Sequence, residues 1–252
     1  MSRWSTDDDT LILAESLLET PLRLEEPGKI TEALTEFVGD ERLERMLAVL
    51  GRRTRHVTAL VEHVQNPGNV AACIRSCDAF GIQDLHMVTE AGQPIRVARG
   101  IGRGTHRWLT VHHHANLDSA LAELRREGYR VLATDPGSSE RQAIAVEEIE
   151  LSERVCIAFG NERDGISDAL REAADGLCVI PMHGFVESFN ISVAFALVMS
   201  SLRRRRDQVL GADGDLSSVE RARVLDRWML AQVPQGTKVL EELVRRQKAN
   251  DH

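Results

Sequence analysis

Beyond the first 55 residues, short apolar runs rich in β-branched residues alternate with stretches that have the periodicity of helices. Residues 56–64 and 154–160 are examples of the apolar runs, and residues 70–80 and 117–127 are helical stretches that each stop at a glycine. Strands that alternate with helices at this spacing are typical of a parallel sheet with helices on both faces. The pattern therefore predicts an α/β fold.

Both ends of the chain have helical periodicity instead. Apolar residues recur three and four positions apart in the runs that flank the alternating pattern, which are residues 11–19, 30–38, 40–50, 219–232 and 238–247. We therefore predict three parts: a helical N-terminal extension over residues 1–50, an α/β domain over residues 51–208 and a helical C-terminal extension over residues 209–252.

Composition restricts the class of protein. Apolar residues make up 42% of the chain without any run of about 18 in succession, which is typical of a soluble globular protein and predicts no membrane partner. The N-terminus is acidic, unlike a secretory signal, so we expect a cytoplasmic protein. The cysteines lack a metal-ligand spacing, and we predict reduced core thiols at Cys73, Cys77, Cys156 and Cys178.

Positive charge is concentrated in one segment of an otherwise acidic chain. The net charge is −8, yet residues 51–110 carry arginines and no lysine. These arginines are Arg52, Arg53, Arg55, Arg75, Arg96, Arg99, Arg103 and Arg107. Arginine binds phosphate in a bidentate manner, so the segment is compatible with a polyanion that docks on one face. Solvated arginines scattered over the surface are an equally good explanation of the charge alone.

Three unusual loops follow predicted strands, at residues 65–69, 159–165 and 182–190. Ligands of parallel sheets bind at the carboxyl ends of the strands, so we expect these loops to share one cleft. The glycine-rich fingerprints of dinucleotide and P-loop enzymes and the nucleophile motif of α/β-hydrolases are absent from the sequence. Residues 112–114 are consecutive histidines that strand alternation would separate, so we predict no metal site.

The loops and their flanks carry a resemblance to a known family. NPGNVAACIRSCDAFG (66–81), IAFGNERDGI (157–166) and VIPMHGFVESFNISVAFALV (179–198) resemble, in order, the three motifs of the SpoU branch of the SPOUT superfamily, the RNA ribose 2′-O-methyltransferases. The resemblance covers about residues 45–206. Within the branch, residues 46–81 and RGTHRW (103–108) look most like the tRNA enzymes that methylate the guanosine at position 18 of the D-loop.

The resemblance implies a parallel sheet whose C-terminal segment forms a deep trefoil knot, and a homodimer with an active site shared between subunits. It implies S-adenosylmethionine as methyl donor, without a metal. The matching cofactor-binding positions are Thr134, Gly160, Ile180 and Phe189. Ile180 and Phe189 are expected to line the adenine pocket, and Gly160 to let the backbone approach closely. Family members more often carry leucine at the position of Phe189.

Arg75 matches the arginine that the family uses at its catalytic centre. Deprotonating arginine at pH 7 costs roughly 7 kcal/mol, so we expect Arg75 to act as a charged clamp on the phosphate beside the target ribose rather than as a general base. Asn69 is expected to cap the helix that carries Arg75 and to support the preceding loop.

Three further residue groups complete the expected site. Glu162 is expected to orient Asn190 or Arg75, or to offset the sulfonium charge, although a solvated loop carboxylate is the alternative. Ser188 and Asn190 match the Ser-x-Asn signature of the family, and helix capping alone would also explain them. The candidate phosphate contacts are Arg52, Arg53, Arg55 and Arg163.

We therefore predict an S-adenosylmethionine-dependent RNA 2′-O-methyltransferase, with a guanosine ribose in the tRNA D-loop as the first candidate substrate. A ribosomal RNA 2′-O-methyltransferase is an alternative, because the three motifs do not specify the RNA. The acidic N-terminal extension is also longer than the tRNA enzymes lead us to expect. A non-catalytic RNA-binding protein of the same fold and a nucleotide-binding protein are the rivals from other classes.

Overall fold

The structure is a computed structural model that describes residues 10–13, 26–89, 93–98, 104–137 and 141–250. The chain divides into two compact units, one of residues 1–14 and 55–212 and one of residues 15–54 and 213–252. The strands are β1 (Thr10–Leu13), β2 (Val57–Glu62), β3 (Asp84–Val88), β4 (Ile95–Ala98), β5 (Thr110–His114), β6 (Tyr129–Thr134), β7 (Ala143–Ala145), β8 (Arg154–Phe159) and β9 (Gly176–Val179). The helices are α1 (Lys29–Leu34), α2 (Asp40–Leu50), α3 (Pro67–Ala79), α4 (Leu117–Arg126), α5 (Asp168–Ala173), α6 (Ile191–Leu210), α7 (Ser218–Gln232) and α8 (Gly236–Asn250).

The larger unit is built on a parallel sheet of seven strands in the order β5-β3-β2-β8-β6-β9-β7. Strand β2, an interior strand between β3 and β8, is buried along its whole length, as expected of a parallel strand covered on both faces. Helices α3 and α6 contribute to the core on one face, and α4 and α5 to the core on the other. The predicted α/β fold with helices on both faces of a parallel sheet is confirmed.

Two short strands form a separate antiparallel ribbon. Strand β1 pairs with β4, with Thr10 opposite Ala98. The prediction of a helix beginning at residue 11 is wrong for residues 11–13, because pairing with a distant strand overrides local helical periodicity. The remainder of that predicted helix, residues 14–19, lies outside the described residues.

The smaller unit joins the two ends of the chain, which the sequence had assigned to separate extensions. Its helices are α1, α2, α7 and α8. The buried carboxylate of Asp226 accepts hydrogen bonds from the backbone N–H of Gly28 (2.7 Å) and from the N–H and hydroxyl of Thr31 (2.8 and 2.7 Å). One α7 side chain thus supplies acceptors for the start of α1, where helical N–H groups lack partners.

The N-cap of helix α3 is residue 66 rather than the predicted residue 69. Asn66 is the N-cap, and its side-chain oxygen accepts from Gly68 N at 2.8 Å, with Pro67 at the first helical position. The expectation that Asn69 caps this helix is wrong, since Asn69 lies inside it. Its side chain is therefore available for another contact. Within the described part of the chain, no helix is long and apolar enough to cross a membrane.

Candidate active site

A cleft of about 270 Å³ opens at the carboxyl ends of β6, β8 and β9. All four positions expected to bind the cofactor line it, and so do three of the other predicted site residues. These seven residues are Thr134, Gly160, Ile180, Phe189, Glu162, Arg163 and Ser188. Two of the three loops predicted to share a cleft, those after β8 and β9, therefore do so, whereas the loop at residues 65–69 does not line it.

The loop after β8 is closed by its own backbone. Asn161 N donates to Gly165 O at 2.9 Å, and Gly165 N donates to Asn161 O at 3.2 Å. A Cβ at position 160 would lie 1.9 Å from the Gly165 carbonyl oxygen, so only glycine fits there. We expected Gly160 to make room for a ligand; the close approach that the structure shows is to Gly165.

The side chain of Asn161 fixes the tip of the same loop. Its Oδ1 accepts hydrogen bonds from the backbone N–H groups of Arg163 and Asp164, both at 2.8 Å. We call residues 160–165 the closed loop. Because its backbone is bonded internally, the exposed side chains of Glu162 and Arg163 project from a fixed base.

A buried carboxylate anchors the segment that leaves the closed loop. Glu62, at the end of β2, is 3% exposed and accepts from Ser167 N (2.9 Å) and Ser167 Oγ (2.8 Å). Ser167 in turn caps α5. The sequence analysis missed Glu62, although a carboxylate at the end of an otherwise apolar strand was the available signal.

Glu162 connects the closed loop to α3. Its Oε1 accepts from Asn69 Nδ2 at 2.5 Å. The sequence analysis expected Glu162 to orient Asn190 or Arg75, whereas the described hydrogen bond is to Asn69. This bond joins the first and second motif segments, so the residues predicted to be catalytic are partly brought together.

Asn190 and Arg75 lie at the margin of this arrangement. Asn190 caps α6, because its Oδ1 accepts from Ser192 N (2.9 Å) and from Ser192 Oγ (2.6 Å). Arg75 is exposed on α3. Among the described residues that line the cleft, Asn69, Arg75 and Asn190 are absent. In the single chain, the expected donor site is therefore a cleft whose described lining does not include the expected phosphate clamp, Arg75.

The four arginines predicted to contact RNA differ in their surroundings. Arg52 and Arg163 are exposed. Arg55 is partly buried, and its Nε lies 2.7 Å from Asp84 Oδ2. Arg53 is 1% exposed, with its guanidinium 5.2 Å from the ring centroid of Trp228. Burial argues against Arg53 as a phosphate contact, since charged groups that bind RNA backbone must reach the surface.

The cysteines are all free and buried, as predicted. Cys178 lies on the wall of the cleft, and burial raises the pKa of its thiol to about 12. Burial, with a smaller contribution from the charge of Glu162, also raises the pKa of Cys73 to about 12. Protonated thiols are poor nucleophiles, so the cysteines contribute packing rather than chemistry.

A parallel sheet whose polar loops enclose a cleft at the carboxyl ends of its strands defines an α/β domain that binds a small molecule at that edge. The chain belongs to the SpoU rRNA methylase family, whose model matches residues 56–200. The resemblance seen in the three motifs is thereby confirmed.

Relatives extend this match over most of the chain. A tRNA (guanosine(18)-2′-O)-methyltransferase of Escherichia coli K12 is 33% identical over 187 residues, which are 73% of this chain and 80% of the relative. The crystal structure of the Aquifex aeolicus TrmH/SpoU tRNA modifying enzyme has a TM-score of 0.70 at 28% identity, and the match covers 78% of this chain and 98% of that one.

A second solved structure bears on the ligand. The AdoMet-bound rRNA methyltransferase from Sinorhizobium meliloti has a TM-score of 0.53 at 25% identity. The match covers 61% of this chain and 58% of that one. The similarity includes a structure described with the methyl donor bound.

Proposed function

We propose that this protein transfers a methyl group from S-adenosylmethionine to the 2′-hydroxyl of an RNA ribose, and that its substrate is a guanosine in the tRNA D-loop. One observation carries the proposal. The four positions matching the family's cofactor-binding residues line a single cleft, and Glu162 of that cleft is bonded to Asn69 on the helix that carries Arg75.

The residues of the cleft fit the proposed donor. Ile180 and Phe189 give apolar walls suited to an adenine ring, and Glu162 and Glu187 put carboxylates at the rim, where they favour a positive sulfonium. S-adenosylmethionine, when bound, supplies a methyl group that is already activated for in-line displacement. The chain must therefore mainly position the two reactants.

The remaining residues act on the RNA. A charged Arg75 would hold the phosphate next to the target ribose and lower the pKa of the 2′-hydroxyl, which would give up its proton to water as it is methylated. The Asn69–Glu162 hydrogen bond would hold α3, and so Arg75, at a fixed place relative to the closed loop. Exposed Arg163 extends the phosphate-binding surface from the tip of that loop.

We also propose a homodimer in which the partner completes the site. Exposed apolar side chains occur on α6 and in the loop before it: Phe185, Val186, Phe189, Val193 and Leu197. Several exposed apolar side chains within one short stretch of chain are typical of an interface. A partner would also explain how Arg75, outside the cleft lining of its own chain, can act in a cleft. The family's trefoil knot through the segments after β8 and β9, and a cytoplasmic location, belong to the same proposal.

A ribosomal RNA substrate is the second candidate, because the AdoMet-bound structure from Sinorhizobium meliloti is that of an rRNA methyltransferase. Labelled methyl transfer to unmodified tRNA and, separately, to protein-free ribosomal RNA distinguishes the two. We expect a 2′-O-methylated guanosine in the tRNA D-loop. Methylation of ribosomal RNA alone would overturn the substrate, and absence of donor binding would overturn the activity.

Arg75→Ala tests the catalytic assignment. We expect loss of transfer by at least roughly a hundredfold with donor affinity unchanged within a few-fold, because the side chain does not line the cleft. Arg126→Ala, a change of an exposed arginine on α4, is the matched control and should retain activity. Near wild-type turnover of Arg75→Ala would contradict its proposed role.

A further inference from the structure

A cluster of histidines lies beneath α4 at the β5 edge of the sheet. Strands β3 and β5 pair in register, with His86 beside His112 and Val88 beside His114, and α4 packs on both strands. Strand alternation turns His113 to the opposite face, where its ring contacts the hydroxyl of Thr89 at 2.7 Å. The same alternation places His112 and His114 on the face that His86 occupies. The sequence did not predict this grouping, because it depends on the pairing of β3 with β5.

Two of these histidines face each other with converging nitrogens. His86 Nδ1 and His114 Nε2 are 3.0 Å apart, and their rings are within 12° of parallel. The two side chains and the carboxylate of Glu123, on α4, each offer a ligand atom, and these atoms all lie within 4.8 Å of one another. Two nitrogens on a tetrahedral Zn²⁺ are about 3.3 Å apart, since each Zn–N bond is about 2.0–2.1 Å. The pair needs only a small rearrangement to bind a shared cation.

The protein does not satisfy the hydrogen bonding of His86. Its ring is fully buried, and Nε2 has no hydrogen-bond partner among the described residues. The facing nitrogens of His86 and His114 share one hydrogen bond, in which one ring donates and the other accepts. A cation bound between the rings would replace that hydrogen bond, because each facing nitrogen would then offer a lone pair.

Glu123 places a carboxylate beside the two imidazoles. Imidazole nitrogens and a carboxylate oxygen are ligand types that divalent transition metals accept. Glu123 bonds His112 Nδ1 at 3.0 Å through Oε1, which leaves its other oxygen for a metal. His112 in turn lies 3.4 Å from Asp84, whose charge is shared with Arg55.

We propose that His86, His114 and Glu123 bind a divalent transition-metal ion, with Zn²⁺ the best match to two imidazoles and one carboxylate. Water would take the fourth position, because Glu123 is partly exposed. The site lies on β3, β5 and α4, whereas the donor cleft is formed at β6, β8 and β9. The ion would stabilise the packing of edge strand β5 and helix α4 against the sheet, and it would take no part in methyl transfer.

Cobalt substitution tests the site directly. The full-length chain is freed of metal with EDTA and titrated with Co²⁺, whose visible absorption is strong in four-coordinate sites and weak in water. We expect one strongly absorbing Co²⁺ per chain, displaced by Zn²⁺, and a higher Tm with Zn²⁺ than with EDTA. Only weak, hydrated-ion absorption in the wild-type protein would overturn the proposal.

Variants separate this site from adventitious binding to the other histidines. Glu123→Gln changes a partly exposed side chain without loss of volume, so the fold should persist, and we expect Co²⁺ affinity to fall by roughly tenfold or more and the Zn²⁺-dependent rise in Tm to disappear. His114→Asn should abolish strong absorption. His113→Asn, the adjacent position on the other face, is the matched control and should bind as the wild type does. Equal affinity in Glu123→Gln and His113→Asn would overturn the assignment.

Discussion

The two loops that enclose the cleft are held in different ways. The closed loop is bonded to itself through Asn161 and Gly165, and its exit is anchored by the buried carboxylate of Glu62. In the loop at residues 183–190, by contrast, every residue is exposed, and its described side-chain hydrogen bonds are those by which Asn190 caps α6. One wall of the cleft is therefore preorganised within the chain, while the other has the exposure expected of a surface that a partner or ligand covers.

A pair of glycine substitutions gives the largest expected contrast between the two loops. Gly160→Ala places a Cβ 1.9 Å from the Gly165 carbonyl oxygen, whereas Gly184→Ala meets no atom within 4 Å. We expect Gly160→Ala to lower the free energy of unfolding by about 3 kcal/mol or more and to abolish donor binding. Gly184→Ala should be near neutral in both chemical denaturation and donor titration. Equal effects of the two changes would contradict the difference in rigidity.

The anchor of the closed loop should have the next largest effect. Glu62→Gln keeps one acceptor oxygen for Ser167 N but replaces the other with an amide NH2 group, so that Ser167 Oγ, which already accepts from Leu170 N, loses its acceptor. We expect a loss of roughly 1–3 kcal/mol in unfolding free energy, measured by urea denaturation, and weaker donor binding. The control is Glu187→Gln, which makes the same carboxylate-to-carboxamide change at an exposed position in the other loop. It should leave the free energy of unfolding unchanged within about 0.5 kcal/mol.

The exposed loop should matter for association more than for folding. Phe185→Ser removes an aromatic ring that is 108% exposed, so we expect monomer stability to change by less than about 0.5 kcal/mol. If the proposed homodimer covers this loop, the dimer dissociation constant measured by analytical ultracentrifugation should rise by roughly tenfold or more. Val219→Ser changes an exposed apolar residue on α7 and should not alter association. A stable monomer in the wild-type protein would contradict the proposed assembly.

The smallest expected effect concerns the cleft wall itself. Because burial raises the pKa of Cys178 to about 12, native protein should resist iodoacetamide at pH 8, as measured by intact mass. The folded state holds this proton more tightly than the unfolded state, whose thiol has a pKa near 9.0. Stability that depends on the neutral thiol is thus fully present below pH 9 and is lost as the pH rises toward 12. Rapid alkylation of folded protein would contradict this burial.

Sequence patterns predicted the sheet and the cleft because both depend on local signals. Apolar runs that end at polar loops predicted the strands, and the resemblance to the family supplied Thr134, Gly160, Ile180 and Phe189, which line one cleft. Patterns were insufficient where a distant partner decides the outcome. Residues 11–13 pair with β4, Asn69 bonds Glu162 rather than capping α3, and His86 meets His114 only because β3 and β5 are neighbours. Arg53 was predicted to contact phosphate, but it is buried against Trp228, a residue far away in the sequence.

The hydrogen bonds that Asp226 accepts from Gly28 and Thr31 join positions that are 198 and 195 residues apart in the chain. During synthesis the ribosome exposes residues 28–31 long before residue 226 has been made. Helix α1 therefore lacks this acceptor until residue 226 has been made. The smaller unit can complete its folding only near the end of translation, after the sheet has had time to form. Truncation of the chain before residue 226 would thus destabilise helix α1.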